Sequence, residues 1–429
     1  MAILNEPSYR PRIADAKLEL LLRAFGGVEI LGPKWCGKTW TALAHAQSVD
    51  LLDDPATFEA AGNAPGLVLQ GDRPHLVDEW QDVPAVWDAA RRLIDQNAGR
   101  KGLLILTGSS RPKDFEKIHH SGAGRIARLR MSTMSLFESG DSTGKVSLAG
   151  LFNGNFEPAR RRTEITEVAR WCCRGGWPSD LEIEDQLAML TAGEYIKSLC
   201  DITAPHMGLN PQTLRAFMRA VAMNTAQAPT FNTLAADMSE GESAKAPSMP
   251  TLSRYQGALS DLYLLEELPG WEPPLRSKAR VRIKPKLYFC DPSLAASLLG
   301  VTPVILERDT QTLGNLFETL VMRDLHVYST ANPASEAHLA YFRDEKGREC
   351  DAILELPDGR WAAIEIKLSD LKVTDENVAK LLALRDKLCG NPASRVRQPS
   401  FLAFITGRGE IAFQRRDGVY VIPIATLGP

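Results

Sequence analysis

Residues 32–39 run Gly32-Pro33-Lys34-Trp35-Cys36-Gly37-Lys38-Thr39, a G-x-x-x-x-G-K-T spacing. Before it stands GVEIL (27–31), short, apolar and β-branched; after it stands TWTALAHAQ (39–47), rich in helix formers. A strand, a glycine-rich loop and a helix in that order constrain this chain more than any other feature. The glycines let backbone N–H groups approach a phosphate, and the helix N-terminus adds a favourable field. In that geometry Lys38 would neutralise the β and γ oxygens of ATP, and Thr39 would ligate Mg²⁺. The whole loop, Gly32, Pro33, Lys34, Trp35, Cys36, Gly37, Lys38 and Thr39, is the candidate nucleotide cradle.

A phosphate site of this kind needs an acidic strand. PHLVDEWQ (74–81) supplies one, running through His75, Leu76 and Val77 into Asp78-Glu79. Asp78 would hold Mg²⁺ through water, and Glu79 would polarise the attacking water. GLLILTGSS (102–110) is a second apolar stretch that ends in polar residues. Thr107 and Ser109 are both candidates for a group between the γ-phosphate and the catalytic water. All three segments carry their polar residues at the carboxyl end of an apolar run. Strands alternating with helices imply an α/β fold with a parallel sheet and a ligand at that edge. SGAGRIARLR (121–130) adds Arg125, Arg128 and Arg130. Arg125, after Gly124, is the first choice for an arginine that reaches a neighbouring subunit's γ-phosphate.

These motifs, GPKWCGKT, LVDEWQ, LTGSS and SGAGRIARLRMSTMSLFE, resemble a prokaryotic family of AAA-like P-loop ATPases. Further matches are GGWPSD (175–180), YIKSLCDI (195–202) and KPKLYFCDPSLAASLLG (284–300), so the resemblance spans nearly the whole chain. It implies a P-loop domain, a winged-helix segment and a C-terminal domain related to restriction endonucleases, with homo-oligomers that can close into rings. Two departures stand out: Trp35-Cys36 inside the loop, and Pro74-His75 opening the acidic strand.

Bulk properties narrow the setting. A chain of 429 residues is too long for one core. A net charge of −3 gives no global nucleic-acid signal, so any basic surface is local. The start, MAILNEPSYRPR, lacks the pattern of a secretion signal, and no apolar run reaches the roughly 18 residues of a membrane span. The seven scattered cysteines form no C-x-x-C pair and read as reduced thiols. Together these point to a cytoplasmic protein with no membrane partner.

In the middle of the chain, residues 159–205 read as helices, a lid or spacer broken at Gly175-Gly176-Trp177-Pro178. TLRAFMRAVAMNTAQ (213–227), FNTLAADMSE (231–240) and a helix opening at Thr251 or Ser253 suggest helix-turn-helix, with a strand after it for a winged helix. MSEGESAKAPSMP (238–250) reads as a loop. The second helix offers Ser253, Arg254 and Gln256 to nucleic acid, DNA before RNA. RSKARVRIKPK (276–286) places Arg276, Lys278, Arg280, Arg282, Lys284 and Lys286 at every second position, so a strand puts them on one face for a polyanion.

At the end, DAILEL and WAAIEIK alternate as strands around Pro357-Asp358-Gly359, which suits a three-residue hairpin loop. A hairpin centred on Asp358 sets Asp351 opposite Glu365, with Lys367 on the same face. Two carboxylates beside a lysine can hold Mg²⁺ or Mn²⁺, activate a water and clamp a phosphate. This D…E-x-K arrangement resembles restriction-endonuclease-like nucleases, and Glu318 fits their further acidic position on an earlier helix. The candidate metal ligands are thus Thr39 and Asp78 at one site and Glu318, Asp351 and Glu365 at the other. The candidate catalytic residues are Glu79, Thr107, Arg125, Glu365 and Lys367.

The expected organisation is a P-loop domain over 1–158, a helical lid over 159–205, a winged helix over 206–283 and a restriction-endonuclease-like α/β domain over 284–429. The expected activity is Mg²⁺-dependent ATP hydrolysis coupled to nucleic acid, with a metal-dependent nuclease or nuclease-like domain. The alternative is an ATP-dependent switch or DNA-binding regulator whose last domain binds partners without cutting.

Overall fold

The computed structural model describes residues 9–112, 120–239, 247–272, 284–332, 336–390 and 396–429. The chain forms two compact units, Met1–Thr133 with Asp261–Tyr263, and Met134–Ser260 with Leu264–Pro429. The fold is α/β, and the first unit closes at Thr133 rather than near residue 158.

The first unit is a parallel sheet of β1 (Gly27–Leu31), β2 (Ser48–Leu51), β3 (His75–Asp78), β4 (Leu104–Gly108) and β5 (Ile126–Arg130). Their order is β2-β3-β4-β1-β5, and every pairing is parallel. Helices α1 (Ala14–Ala24), α2 (Lys38–His45), α3 (Pro55–Asn63) and α4 (Ala85–Gln96) complete it. The strands read as continuous apolar runs because both faces are covered. Ile105 packs with Leu18, Val28, Ile30 and Leu76 on one side, while Leu104 and Leu106 pack with Val77, Trp80, Val86 and Trp87 on the other. Because β4 lies between β1 and β3, its polar carboxyl end falls between the glycine-rich loop and the acidic strand.

The second unit opens with β6 (Val146–Ser147), α5 (Leu148–Phe152), β7 (Ala159–Thr163), α6 (Ile165–Arg174), α7 (Asp185–Ser198) and α8 (Ala204–His206). The helices expected from residue 159 therefore start only at Ile165; the alternating ARRRT before them pairs with a strand. Next come α9 (Pro211–Met223), α10 (Phe231–Ser239), α11 (Met249–Asp261), and the antiparallel pair β8 (Leu265–Leu268) and β9 (Lys286–Phe289). The third of these helices opens at Met249, not at Thr251 or Ser253. The stretch expected as a loop, 238–250, has its ends inside α10 and α11, and residues 240–246 lie outside the described ones.

The unit ends with α12 (Pro292–Leu299), α13 (Pro303–Leu306), α14 (Thr310–Ser329), β10 (His338–Arg343), β11 (Glu349–Glu355), β12 (Trp361–Ser369), α15 (Asp375–Cys389), β13 (Phe401–Gln414), β14 (Tyr420–Pro423) and β15 (Leu427–Gly428). The main sheet runs β10-β11-β12-β13-β14, with β7 on the outer part of β13. In α14, Leu313, Leu316, Phe317, Leu320 and Val321 are buried at helical spacing, and Asp309 caps its start by accepting from Thr312 N–H at 3.1 Å.

Several motif stretches meet in one buried ion network within this unit. Arg323 Nη2 lies 2.8 Å from Asp324 Oδ1, and its Nη1 lies 3.2 Å from Asp291 Oδ2. Asp291 also accepts from Gly176 N–H at 2.9 Å, Ser293 accepts from Trp177 Nε1 at 2.9 Å, and Asp324 accepts from Leu136 N–H at 3.1 Å. SLFE, GGWPSD and FCDPS are thus held by one guanidinium and two carboxylates. Helices α6 and α7 pack on α12 as part of this core. All seven cysteines are free thiols. Among the described residues, no helix is long and apolar enough to cross a membrane.

Candidate functional site

The loop after β1 turns through Trp35 (φ 66°) and Gly37 (φ 100°) into α2. Gly32 has no room for a side chain, because a Cβ there would come within 2.3 Å of the Met131 carbonyl oxygen. Lys38 folds back over the loop and donates to the Pro33 carbonyl at 2.9 Å. Arg12, buried, braces the outside: its guanidinium donates to the Cys36 carbonyl at 2.7 Å and to the Ser132 carbonyl at 2.9 Å. Lys34 and Trp35 remain exposed on the loop, and Cys36 is buried.

Thr39, Asp78 and Thr107 meet at the carboxyl ends of three neighbouring elements. Thr39 Oγ1 donates to Asp78 Oδ1 at 2.9 Å, and Thr107 Oγ1 donates to the same oxygen. Burial pushes the Asp78 carboxyl above its usual range and the Glu79 charge adds to this, while the two threonine hydroxyls oppose it. A hydroxyl and a carboxylate this close, beside Lys38, fit a divalent ion, and Thr39 and Asp78 are the residues that would hold it.

Glu79 has left-handed backbone angles, φ 55° and ψ 43°. For a non-glycine residue this conformation costs about 1–3 kcal/mol and persists only when neighbours over-determine it. Here they do. The Glu79 N–H donates to Thr107 Oγ1 at 3.1 Å, and its Oε2 accepts from Ser109 Oγ at 2.7 Å and from Gln81 Nε2 at 2.5 Å. Thr107 and Ser109 therefore divide the work, one holding Asp78 and the Glu79 backbone, the other the Glu79 carboxylate.

Arg125 sits elsewhere. It precedes β5, and its carbonyl accepts from Gly27 N–H at 3.1 Å at the amino edge of the sheet. The loop leaves from Leu31, four residues further along β1, about 13 Å away at strand rise. Its guanidinium is paired with Asp95 at 2.9 Å. Arg125 thus lies at the opposite edge from its own chain's phosphate loop. Arg128 pairs with the buried Glu29 at 3.0 Å.

In the second unit, the hairpin register is the expected one: Ala352 faces Ile364 and Glu355 faces Trp361, with Gly359 at φ 82° in the turn. Asp351 lies one residue beyond the ladder, and its Oδ2 accepts from Ile366 N–H at 2.8 Å. Lys367 Nζ stands 2.7 Å from Glu365 Oε2 and 3.8 Å from Asp351 Oδ2. Glu318 joins from α14, accepting from Tyr288 OH at 2.7 Å and from Lys286 Nζ at 3.0 Å. Glu349, two residues before Asp351, accepts from Lys286 at 2.6 Å. Burial and the Asp351 charge push Glu318 and Glu365 up to about 7. Burial alone would lower Lys286, but Glu318, Asp351 and Glu349 together hold it above its ordinary value.

Lys286 corrects the basic-stripe expectation. It is 4% exposed and belongs to the carboxylate cluster, because β9 turns it inward alongside the buried Tyr288. Lys284 is exposed, and Arg276, Lys278, Arg280 and Arg282 lie outside the described residues. On α11, Arg254 donates to the Gly208 carbonyl at 2.9 Å and Gln256 donates to Glu267 at 2.6 Å, while Ser253 is exposed.

Residues 26–139 match the AAA domain family. Residues 165–304 and 313–427 match two families described as domains of unknown function, DUF8612 and DUF4143. Uncharacterized proteins of Mycobacterium tuberculosis and Mycobacterium bovis are each 27% identical over 365 residues, 83% of this chain and 73% of theirs. The chain is also similar to the Walker-type ATPase PABY2304 of Pyrococcus abyssi, at a TM-score of 0.44 and 12% identity, covering 70% of this chain and 99% of that one. The phosphate loop, the Asp78-Glu79 strand end and the AAA match define the first unit as a P-loop, AAA-like ATPase domain. The match over 313–427 assigns no chemistry, so the restriction-endonuclease-like reading of that region rests on its residues alone.

Proposed function

We propose that the chain hydrolyses ATP with Mg²⁺ at Gly32–Thr39 and uses turnover to change how its second unit holds nucleic acid. The observation that carries the ATPase part is the convergence of Thr39, Asp78, Thr107, Glu79 and Ser109 at one sheet edge. Bound Mg²⁺ would supply charge neutralisation on the β and γ oxygens, held by Thr39 and Asp78. Lys38 leaves the Pro33 carbonyl for those same oxygens. Glu79, aimed by Ser109 and Gln81, orients the attacking water and accepts its proton. Arg125, remote from its own loop, is offered to a neighbouring copy in a homo-oligomer.

The nucleic-acid part draws on the order α9, α10, α11 and then the β8–β9 pair, which is the order of a winged helix. A second reading, a switch whose second unit binds protein partners, is favoured by the internal hydrogen bonds of Arg254 and Gln256. Cleavage is not part of the proposal, because a further ammonium, that of Lys286, already stands among the carboxylates expected to bind metal.

The experiment is ATP turnover and nucleotide binding for the wild type, Lys38→Ala, Glu79→Gln and a mixture of Lys38→Ala with Arg125→Ala subunits, with and without DNA or RNA. Lys38→Ala should lose binding, and Glu79→Gln should bind ATP but turn over about 10²- to 10⁴-fold more slowly. The mixture should regain activity that neither parent has. Unchanged turnover in both single variants sinks the ATPase reading, and turnover indifferent to nucleic acid shifts the second unit to the switch reading.

A further inference from the structure

The C-terminal cluster contains the residues expected of a metal-dependent nuclease and one cation more. Lys286 Nζ lies 3.0 Å from Glu318 Oε1, 2.6 Å from Glu349 Oε1 and 3.8 Å from Asp351 Oδ1. Three carboxylates from α14 and β11 thus surround one ammonium, which is where a divalent ion would gather them. We propose that Lys286 is a built-in cation that takes the place of a metal in this cluster, so that the folded chain binds no Mg²⁺ or Mn²⁺ there.

The lysine is anchored. β9 pairs with β8 through Lys286 opposite Leu268, and the next residue, Leu287, donates its N–H to the Gln227 carbonyl at 2.9 Å. Tyr341 OH donates to the Lys284 carbonyl just before the strand. The ammonium also lies 5.4 Å from the centre of the Tyr341 ring, a cation–π contact. A side chain of 4% exposure, fixed from three sides, is not a surface lysine that swings in for want of a partner.

One oxygen of each of three carboxylates is also engaged by neighbouring donors. Glu318 Oε1 accepts from both Lys286 and Tyr288, Asp351 Oδ2 accepts from Ile366 N–H, and Glu365 Oε2 accepts from Lys367. A Mg²⁺ ion takes near-octahedral oxygen ligands at about 2.1 Å, so it would compete with these donors and with the Lys286 ammonium for the same carboxylates. Among the described residues, no group of three or more His, Cys, Asp or Glu is arranged to hold a metal ion. An ammonium cannot lower the pKa of a ligated water as a divalent ion does, so the cluster as built ties β9 to α14 and β11 rather than activating water.

The test is Mn²⁺ uptake, read by electron paramagnetic resonance on the nucleotide-free full chain. Uptake that depends on Asp351 separates this cluster from any ion held at Thr39 and Asp78. The wild type and Asp351→Asn should take up the same amount. Lys286→Met should gain one equivalent per chain, the double variant Lys286→Met/Asp351→Asn should lose it, and Lys286→Arg should gain none. If the wild type holds an equivalent that Asp351→Asn loses, the proposal is overturned; it is equally overturned if folded Lys286→Met gains nothing. Should Lys286→Met not fold, the wild type against Asp351→Asn still decides. No nucleotide enters the assay, so failure of the ATPase reading would leave this result untouched.

Discussion

Thr107 offers the sharpest test of how the ATPase site is built. Its side chain is fully buried and makes two hydrogen bonds, donating to Asp78 Oδ1 and accepting from Glu79 N–H. Thr107→Val preserves the shape and removes both. Each lost bond is worth about 1 kcal/mol, and the groups left without that partner cost about 1–3 kcal/mol more. Asp78 keeps Thr39 as a donor, so the larger loss falls on Glu79, whose left-handed backbone is held by the Thr107 hydroxyl. If about 2–3 kcal/mol of that support is missing in the transition state, kcat falls about 30- to 150-fold. The pH profile should move as well. The Thr107 hydroxyl stabilises the Asp78 carboxylate against the upward push of burial, so its loss raises the Asp78 pKa further. Ionised Asp78 is then lost at a higher pH, and the acid limb of kcat/KM shifts upward. Steady-state ATP turnover from pH 5 to 9, beside a melting curve, reads both effects. Thr107→Ser, which keeps the hydroxyl, should stay near the wild type. A folded Thr107→Val with kcat within about twofold of the wild type and an unmoved acid limb would refute the assignment.

Two further expectations concern the second unit. Arg323→Met strands Asp291 and Asp324 in the core without their cation and should destabilise the second unit by about 3–5 kcal/mol in urea unfolding; a loss under about 1 kcal/mol would mean that the network does not hold these stretches together. Glu318 is pushed up to about 7 in the folded chain from an ordinary value of 4.5, so the folded state keeps a proton that the unfolded chain releases first. Its contribution to stability is therefore present below about pH 4.5 and is lost as the pH rises towards 7. Glu318→Gln should flatten that decline in a series of melting curves, and an equally steep decline in the variant would remove Glu318 as its source.

What was legible in the sequence was local. GVEIL-GPKWCGKT-TWTALAHAQ became β1, the loop and α2 because an apolar run, glycines and helix formers act within a few residues of one another. The hairpin register around Asp358 was legible for the same reason: Gly359 accepts the positive φ of a short turn, and alternation carries the register outward to Ala352 and Ile364. Glu349 was also within reach, since it stands two residues from Asp351 on the same strand.

The tertiary structure decided the rest. Lys286 reads as one of six alternating cations, and only the packing of β9 beside α14 turns it towards Glu318; the one local signal was the aromatic Tyr288, two residues on, sharing its face. Arg125 reads as a finger beside a glycine, but the parallel pairing of β5 with β1 puts it at the opposite edge from its own loop. Arg12 and Ser109 gain their roles from partners on other elements. Periodicity and turn chemistry are properties of a few consecutive residues, whereas a side chain's partner depends on which distant strands lie next to one another. That is why the phosphate loop and the hairpin could be read from the chain alone, while the cation inside the carboxylate cluster could not.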